Sequence, residues 1–129
     1  MYILSETEEW TSQQIKDAAF SVHQKLGPGL LEQVYEVCFC HELNKRNIDT
    51  LRQVKLPINY DGIIFEEGLR LDVLVDKCII CELKAVDNVN PIWQSQIISH
   101  LKLSGLHVGF IINFNTALIK DGIRRYCVK

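Results

Sequence analysis

Three prolines and seven glycines are few for a chain of 129 residues, and their scarcity excludes collagen-like and low-complexity sequence. No apolar run approaches the roughly 20 residues needed to cross a bilayer, so no membrane span or membrane partner is expected. The stretch from Met1 to Trp10 carries Glu6, Glu8 and Glu9 and no basic residue, which is unlike an export signal. A surplus of one charge is lacking too. Fourteen basic against sixteen acidic residues leave a net charge of −2, whereas proteins that coat DNA electrostatically are basic overall. What is present is 47% hydrophobic residues, and that content excludes disorder. The length suits a single domain over 1–129. Such a chain buries roughly two-thirds of its unfolded surface and needs no disulfide or metal staple.

Cysteine is the one unusual abundance. Cys38, Cys40, Cys78, Cys81 and Cys127 form an odd set, and without an export signal they read as reduced thiols in a cytoplasmic protein. The Cys78-x-x-Cys81 spacing invites a redox or zinc reading. Both residues, however, lie in the apolar run Cys78-Ile79-Ile80-Cys81, and no helix start follows where a thioredoxin-like motif needs one. Joining them to Cys38 and Cys40 makes no standard zinc spacing. Small buried hydrophobes are the expected role.

No linker or repeat divides the chain. Thr11 or Ser12 can cap a first helix, after which Ile15, Ala18, Ala19, Val22 and Leu26 recur at helical spacing. Residues 1–11 are left as a loose N-terminal extension. Gly27-Pro28-Gly29 stops the helix, and a second pattern runs from Leu31 to about Asn47. Strands are expected over 50–60, 63–68, 70–76 and 78–85, with Asp61-Gly62 as a type I′ hairpin turn and Asp76-Lys77 as a second short connection. Helical period returns after Asn90-Pro91, a cap followed by proline in the first turn, and stops at Gly105. Val108 to Asn113 reads as a buried strand and Gly122 to Val128 as a short last one. The order describes an α/β (α+β) mixed sheet with helices against it.

Buried strands seldom carry charge without a reason, yet Asp72 lies in one and Glu82-Leu83-Lys84 ends the next. The two-residue period of a strand puts Glu82 and Lys84 on one face, roughly 6.6 Å apart. A tight turn at Asp76-Lys77 pairs the strands antiparallel and folds position 72 back beside position 82. Two adjacent carboxylates cannot both stay ionised cheaply without a cation. Lys84 supplies one charge, and a divalent metal would supply two more. All-oxygen ligation suits Mg²⁺ or Mn²⁺ rather than zinc. Such a metal lowers the pKa of water and neutralises a phosphate, while Lys84 orients the attacking water or stabilises charge building on the phosphorane.

Asp72, followed after nine residues by Glu82-Leu83-Lys84, resembles the PD-(D/E)xK nuclease signature, with Leu71 in place of the proline. Gly29-Leu30-Leu31-Glu32-Gln33-Val34-Tyr35 is similar to the motif that names the GxxExxY protein family, a branch of that superfamily. Val22 to Gly29 resembles the end of that family's first helix, and Gln96-Ile97-Ile98-Ser99-His100-Leu101-Lys102 its QxxxYLK helix. Gly109 to Phe114 resembles its GLLINF strand, and Ile123-Arg124-Arg125 its closing stretch. The likeness runs in order from about residue 12 to the end. It implies a restriction-endonuclease-like mixed central sheet flanked by helices. It also implies roles: Glu32 as a helix-borne acid, Asp72 and Glu82 as metal ligands, Lys84 as the catalytic lysine and Gln96 as a polar residue on the following helix. The Leu83 carbonyl often completes the metal shell in this superfamily, and Glu32 joins the same set. His100 stands where the family usually has Tyr, a departure at a position that helps shape the site.

Each residue has a plainer role to set beside this one. Asp72, Glu82 and Lys84 can form a structural ion-pair cluster, and Glu32 can merely complement a helix dipole. Gln96 alone is a surface glutamine. His23 reads as a satisfied half-buried histidine, and Tyr35 as a packing residue with its hydroxyl bonded. Trp10 and Trp93 are expected in core or interface roles, with base stacking the minority reading. The groups Lys45-Arg46, Arg52 with Lys55, and Lys120 with Arg124-Arg125 and Lys129 each read as solvated faces. Together the signals point to a Mg²⁺-dependent (or Mn²⁺-dependent) phosphodiesterase acting on nucleic acid, DNA before RNA. The alternative is a module that keeps the fold for nucleic-acid or protein binding with little or no cleavage. The resemblance further implies a homodimer or membership of a larger complex. Setting Glu32, Asp72 and Glu82 aside as ligands takes the sixteen acids to 13 against 14 bases, so the net charge does not exclude a nucleic-acid substrate.

Overall fold

The computed structural model describes all residues from Met1 to Lys129. Helix α1 (Glu6–Leu26) starts five residues before Thr11. Ser5 caps it by accepting from the Glu8 amide at 3.1 Å, and the Glu8 carboxylate accepts from the Ser5 amide at 2.9 Å, a reciprocal capping box. The Tyr2 hydroxyl donates to the same carboxylate at 2.6 Å. Residues 6–11 are therefore the first turns of a helix rather than a loose extension, with Glu8 and Thr11 buried.

Helix α2 (Glu32–Lys45) follows, then β1 (Thr50–Tyr60), β2 (Ile63–Val75) and β3 (Ile79–Lys84). Helix α3 (Ile92–Ser104), β4 (Val108–Asn113), a single 3-10 turn (Ile119–Asp121) and β5 (Ile123–Cys127) complete the chain. The five strands form one sheet in sequence order, and only β3 and β4 run parallel. A parallel pair needs a crossover, and α3 supplies it. Asn90 accepts from the Ile92 amide at 3.0 Å at the start of that helix, and left-handed Gly105 ends it, as the sequence predicts.

The strands expected over 63–68 and 70–76 are one continuous β2. The reason lies across the hairpin. Register between β1 and β2 shifts between Leu56 and Ile58, around Pro57, which has no N–H for the ladder. Gly68 sits opposite that irregularity, where an added Cβ would run into the Leu56 carbonyl. It accommodates a bulge rather than ending a strand. The Asp61-Gly62 turn has φ of 58° and 76°, both positive as type I′ demands.

Two cores lie on opposite faces of the sheet. The larger packs Ile15, Ala18, Ala19 and Val22 of α1 and Tyr35, Phe39 and Leu43 of α2 against Val73, Val75, Ile79, Cys81, Leu83, Phe110 and Ile112. The smaller packs Ile97 and Leu101 of α3 against Leu71, Ile80 and Ile111. All five cysteines are free thiols. Cys40 and Cys81 are buried, Cys38 and Cys78 partly so, and Cys127 is exposed. Burial holds the Cys81 thiol well above its usual pKa, which matches the inert apolar role expected of it.

Candidate active site

The site forms where β2 leaves β3. Their pairing runs only through Val75↔Ile79, Leu74↔Ile80 and Val73↔Cys81. The turn between them holds Asp76 and Lys77 at φ of 51° and 53°, and its register brings Asp72 beside Glu82. Beyond Cys81 the ladder stops, and the Asp72 carboxylate instead accepts the Leu83 N–H at 2.9 Å. A side chain thus takes a backbone donor that a continuing strand would have used. Across the other edge of β2, Gln53 falls opposite Asp72 between the pairs Arg52↔Val73 and Val54↔Leu71. Its backbone is left-handed there, at φ of 52°. Alternation breaks at this point: Leu71 packs in the α3-side core, while Val73 packs in the α1/α2-side core.

Glu82 is buried on the α3 face of the sheet. His100 of α3 meets it, Nδ1 to Oε1 at 3.1 Å. Lys84, two residues on, projects toward the same layer, with Nζ 5.3 Å from the centre of the Trp93 ring, a cation–π contact. The end of β3 is fixed by β4. Phe114 N–H donates to the Lys84 carbonyl at 2.9 Å. Asn113 clamps Val86, accepting from its amide at 3.2 Å and donating to its carbonyl at 3.0 Å.

Glu32 arrives from the opposite layer, in the first turn of α2. The loop before it is held by Tyr35, which is fully buried, stacked on Phe114 at 4.6 Å between ring centres. The Tyr35 hydroxyl donates to the Gly27 carbonyl at 2.6 Å and accepts from the Leu30 amide at 3.1 Å. One turn further on, Glu36 is buried and pairs with Arg52 at 2.8 Å, and Gln53 donates to it at 2.8 Å. These contacts tie the start of α2 to the strand facing Asp72. Tyr35→Phe leaves a loop donor and acceptor without their partner. It is expected to cost about 1–3 kcal/mol, read as a lower urea midpoint at unchanged slope.

Electrostatics show how crowded the acids are. Burial, then the neighbouring Glu82 carboxylate, push Asp72 up to about 7, and Glu32 adds to the rise. The Leu83 N–H opposes it. Glu32 is raised chiefly by desolvation, with Lys84 lowering it and Glu36 and Glu82 raising it. Asp72, Glu82, Glu32 and Lys84 therefore share one neighbourhood. Gln96 does not join them directly: it is exposed, one helical turn before His100, and makes no hydrogen bond to the acids. No three His, Cys, Asp or Glu side chains stand as a finished metal cage. The donor set still fits a hard divalent cation. It is all oxygen, and only Lys84 offsets three carboxylates.

The sequence model of the PD-(D/E)XK nuclease superfamily matches residues 9–126. The chain belongs to this superfamily. No curated protein and no solved structure matches it. The five-stranded mixed sheet with its three helices is the α+β, restriction-endonuclease-like architecture of PD-(D/E)XK proteins. Membership implies a nucleic-acid substrate and, as is general in PD-(D/E)XK nucleases, a divalent metal. None of the helices is long and apolar enough to cross a membrane.

Two side chains meeting this site carry weight that sequence reasoning gave only in outline. His100 departs from the family pattern, and its contact with Glu82 follows only from how α3 lies over β3. Trp93 packs half-buried against the α3-side core, the role its sequence context predicts, while also meeting Lys84. His23 and Tyr35 behave as their plainer roles predict. The His23 ring meets the Thr116 carbonyl at 2.8 Å and lies outside the acid cluster. Trp10 is exposed on α1.

Proposed function

We propose that residues 1–129 act as one PD-(D/E)XK nuclease domain of the GxxExxY branch, a metal-dependent phosphodiesterase whose substrate is DNA. The observation that carries this reading is the splayed end of β2 and β3, where Asp72 and Glu82 meet beside Lys84. Asp72, Glu82, the Leu83 carbonyl and Glu32 would hold Mg²⁺, with Mn²⁺ as a substitute. When bound, the ion supplies positive charge against the phosphate and acidifies water.

The chain's own residues do the rest. The Leu83 N–H fixes one oxygen of Asp72, and the other, now against Glu82, would turn to the ion. His100 holds Oε1 of Glu82, and Oε2 would bind the ion. Lys84 brings Nζ as a donor to the charge that develops on phosphorus-bound oxygen, and Trp93 limits its motion. Gln96, exposed one turn before His100, would meet the substrate strand. A second reading, binding without cleavage, draws on the absence of a finished three-ligand cage. Incubation with supercoiled, linear and single-stranded DNA and with RNA, in Mg²⁺ or Mn²⁺ against EDTA, separates the two. Cleavage that needs the metal supports the nuclease, and retention of intact substrate supports the binder.

The crowding of acids also sets a pH dependence. Asp72 holds its proton up to about 7 in the folded protein but only to about 3.9 when unfolded. Between those values the folded state binds more protons, so this group's contribution to stability is complete at low pH and is lost as pH rises through 7. Metal-free protein is expected to lose part of its urea midpoint between pH 5 and pH 8 through this group. Saturating Mg²⁺ is expected to restore the midpoint at pH 8, since an ion that binds only the folded state stabilises it by about 2.7 kcal/mol at a hundred times its Kd.

A further inference from the structure

Beside the acid cluster lies a recess of about 590 Å³ between the start of α3 and strands β4 and β5. That volume falls within the range of about 300–1,000 Å³ typical of small-ligand sites. Its lining combines Trp93 and Gln94 of α3, Asp121, and Arg124 and Tyr126 of β5, over a floor at Ile111. Register joins it to the site: Glu82 pairs with Ile111, and Ile111 pairs with Arg124. Arg124 thus stands two strand spacings from Glu82 on the same row, about 10 Å away. Trp93 belongs to both places, touching Lys84 and lining the recess.

We propose that this recess is a subsite for one unstacked nucleotide of a single strand, next to the phosphodiester held at Asp72 and Glu82. The inference rests on the nuclease reading above and names the form of nucleic acid the site takes. Arg124 is exposed and has no carboxylate partner, while its neighbour Arg125 pairs with Glu9 at 3.7 Å. The free guanidinium is suited to a phosphate. Trp93 and Tyr126, both half-buried, offer ring faces on which any base can stack, and Gln94 offers donors and an acceptor to its edge. Asp121 repels a phosphate on its side, which places the base there and the phosphate at Arg124. A base inside a duplex must leave its stack to enter such a recess, whereas a base in a single strand does not pay that cost.

The test is binding in EDTA, where nothing is cleaved. Labelled oligothymidylate and oligouridylate of about ten nucleotides are titrated by fluorescence anisotropy, beside a duplex of the same length. Wild type is expected to bind a single strand, of either sugar, more tightly than the duplex. Arg124→Gln is expected to weaken single-strand binding roughly tenfold, to lower the salt slope by about 0.7, the share of one phosphate, and to leave duplex binding unchanged. Tyr126→Leu, which keeps an apolar side chain against the α3-side core, is expected to weaken the single strand alone, with circular dichroism unchanged. Equal affinity for duplex and single strand would overturn the proposal, as would wild-type affinity and slope in Arg124→Gln. Failure of the nuclease reading looks different: no cleavage in Mg²⁺ or Mn²⁺, with the single-strand preference intact.

Discussion

Glu82→Ala is expected to abolish metal-dependent cleavage, and Lys84→Ala to reduce it by about 10²–10³-fold, through separate causes. Glu82 lies buried between Asp72 and His100. Removing it deletes one ligand and leaves His100 without its acceptor, so metal affinity falls together with rate. Lys84 lies on the same strand face but is assigned to the phosphate rather than to the metal. Its loss is expected to lower kcat while Mn²⁺ affinity, read by calorimetry, stays within a few-fold of wild type. A loss shared equally by both parameters in both variants would mean that the two residues act only as a structural ion pair. The alanine at 84 also releases Trp93, so Lys84→Met, which keeps an apolar stem against that ring, is the stricter variant. It is expected to be as slow as Lys84→Ala.

Asp72→Asn is expected to stabilise the metal-free protein while removing its activity. The amide keeps an oxygen for the Leu83 N–H and removes the charge that Glu82 and Glu32 oppose. At pH 8 the gain is on the order of 1–3 kcal/mol once solvent screening of this partly exposed group is allowed for. At pH 4, where the wild-type carboxyl is protonated in the folded state, the difference is expected to shrink toward zero. Mg²⁺ should then reverse the order at pH 8, stabilising wild type and leaving Asp72→Asn nearly unchanged. Urea titrations at both pH values, with and without the ion, read all four states. A functional carboxylate whose replacement improves stability is the pattern expected where a site stores unfavourable charge for its ligand. An Asp72→Asn protein less stable than wild type at pH 8 would instead make Asp72 a structural anchor.

Much of this arrangement is legible before folding because its cues are local. The run Val108 to Ile112 carries no polar side chain, and the whole strand is buried, Asn113 included. Asn90-Pro91 and Gly105 bracket α3, and Asp76-Lys77 sets the register that brings Asp72 to Glu82. The start of α1 was legible as well, in the Ser5-x-x-Glu8 box, but three glutamates in five residues resemble a solvated tail. Gly68 misleads for a different reason: a glycine that ends a strand and one that permits a bulge look alike until the partner strand, with Pro57, is in place. The contacts that finish the site are long-range. His100 with Glu82, Glu36 with Arg52 and Gln53, and the row from Glu82 through Ile111 to Arg124 depend on how separate elements pack. No periodicity in one segment encodes them. Gln96 is the residue for which the resemblance says most and the fold least, since its side chain is exposed and free.

Whether Asp72 and Glu82 hold a divalent cation beside Lys84 is decided by anomalous scattering from crystals grown with Mn²⁺. One strong peak is expected at the splayed end of β2 and β3, about 2.0–2.6 Å from an oxygen of Asp72, an oxygen of Glu82 and the Leu83 carbonyl. A peak elsewhere, or none at saturating Mn²⁺ and pH 8, would rule this metal site out.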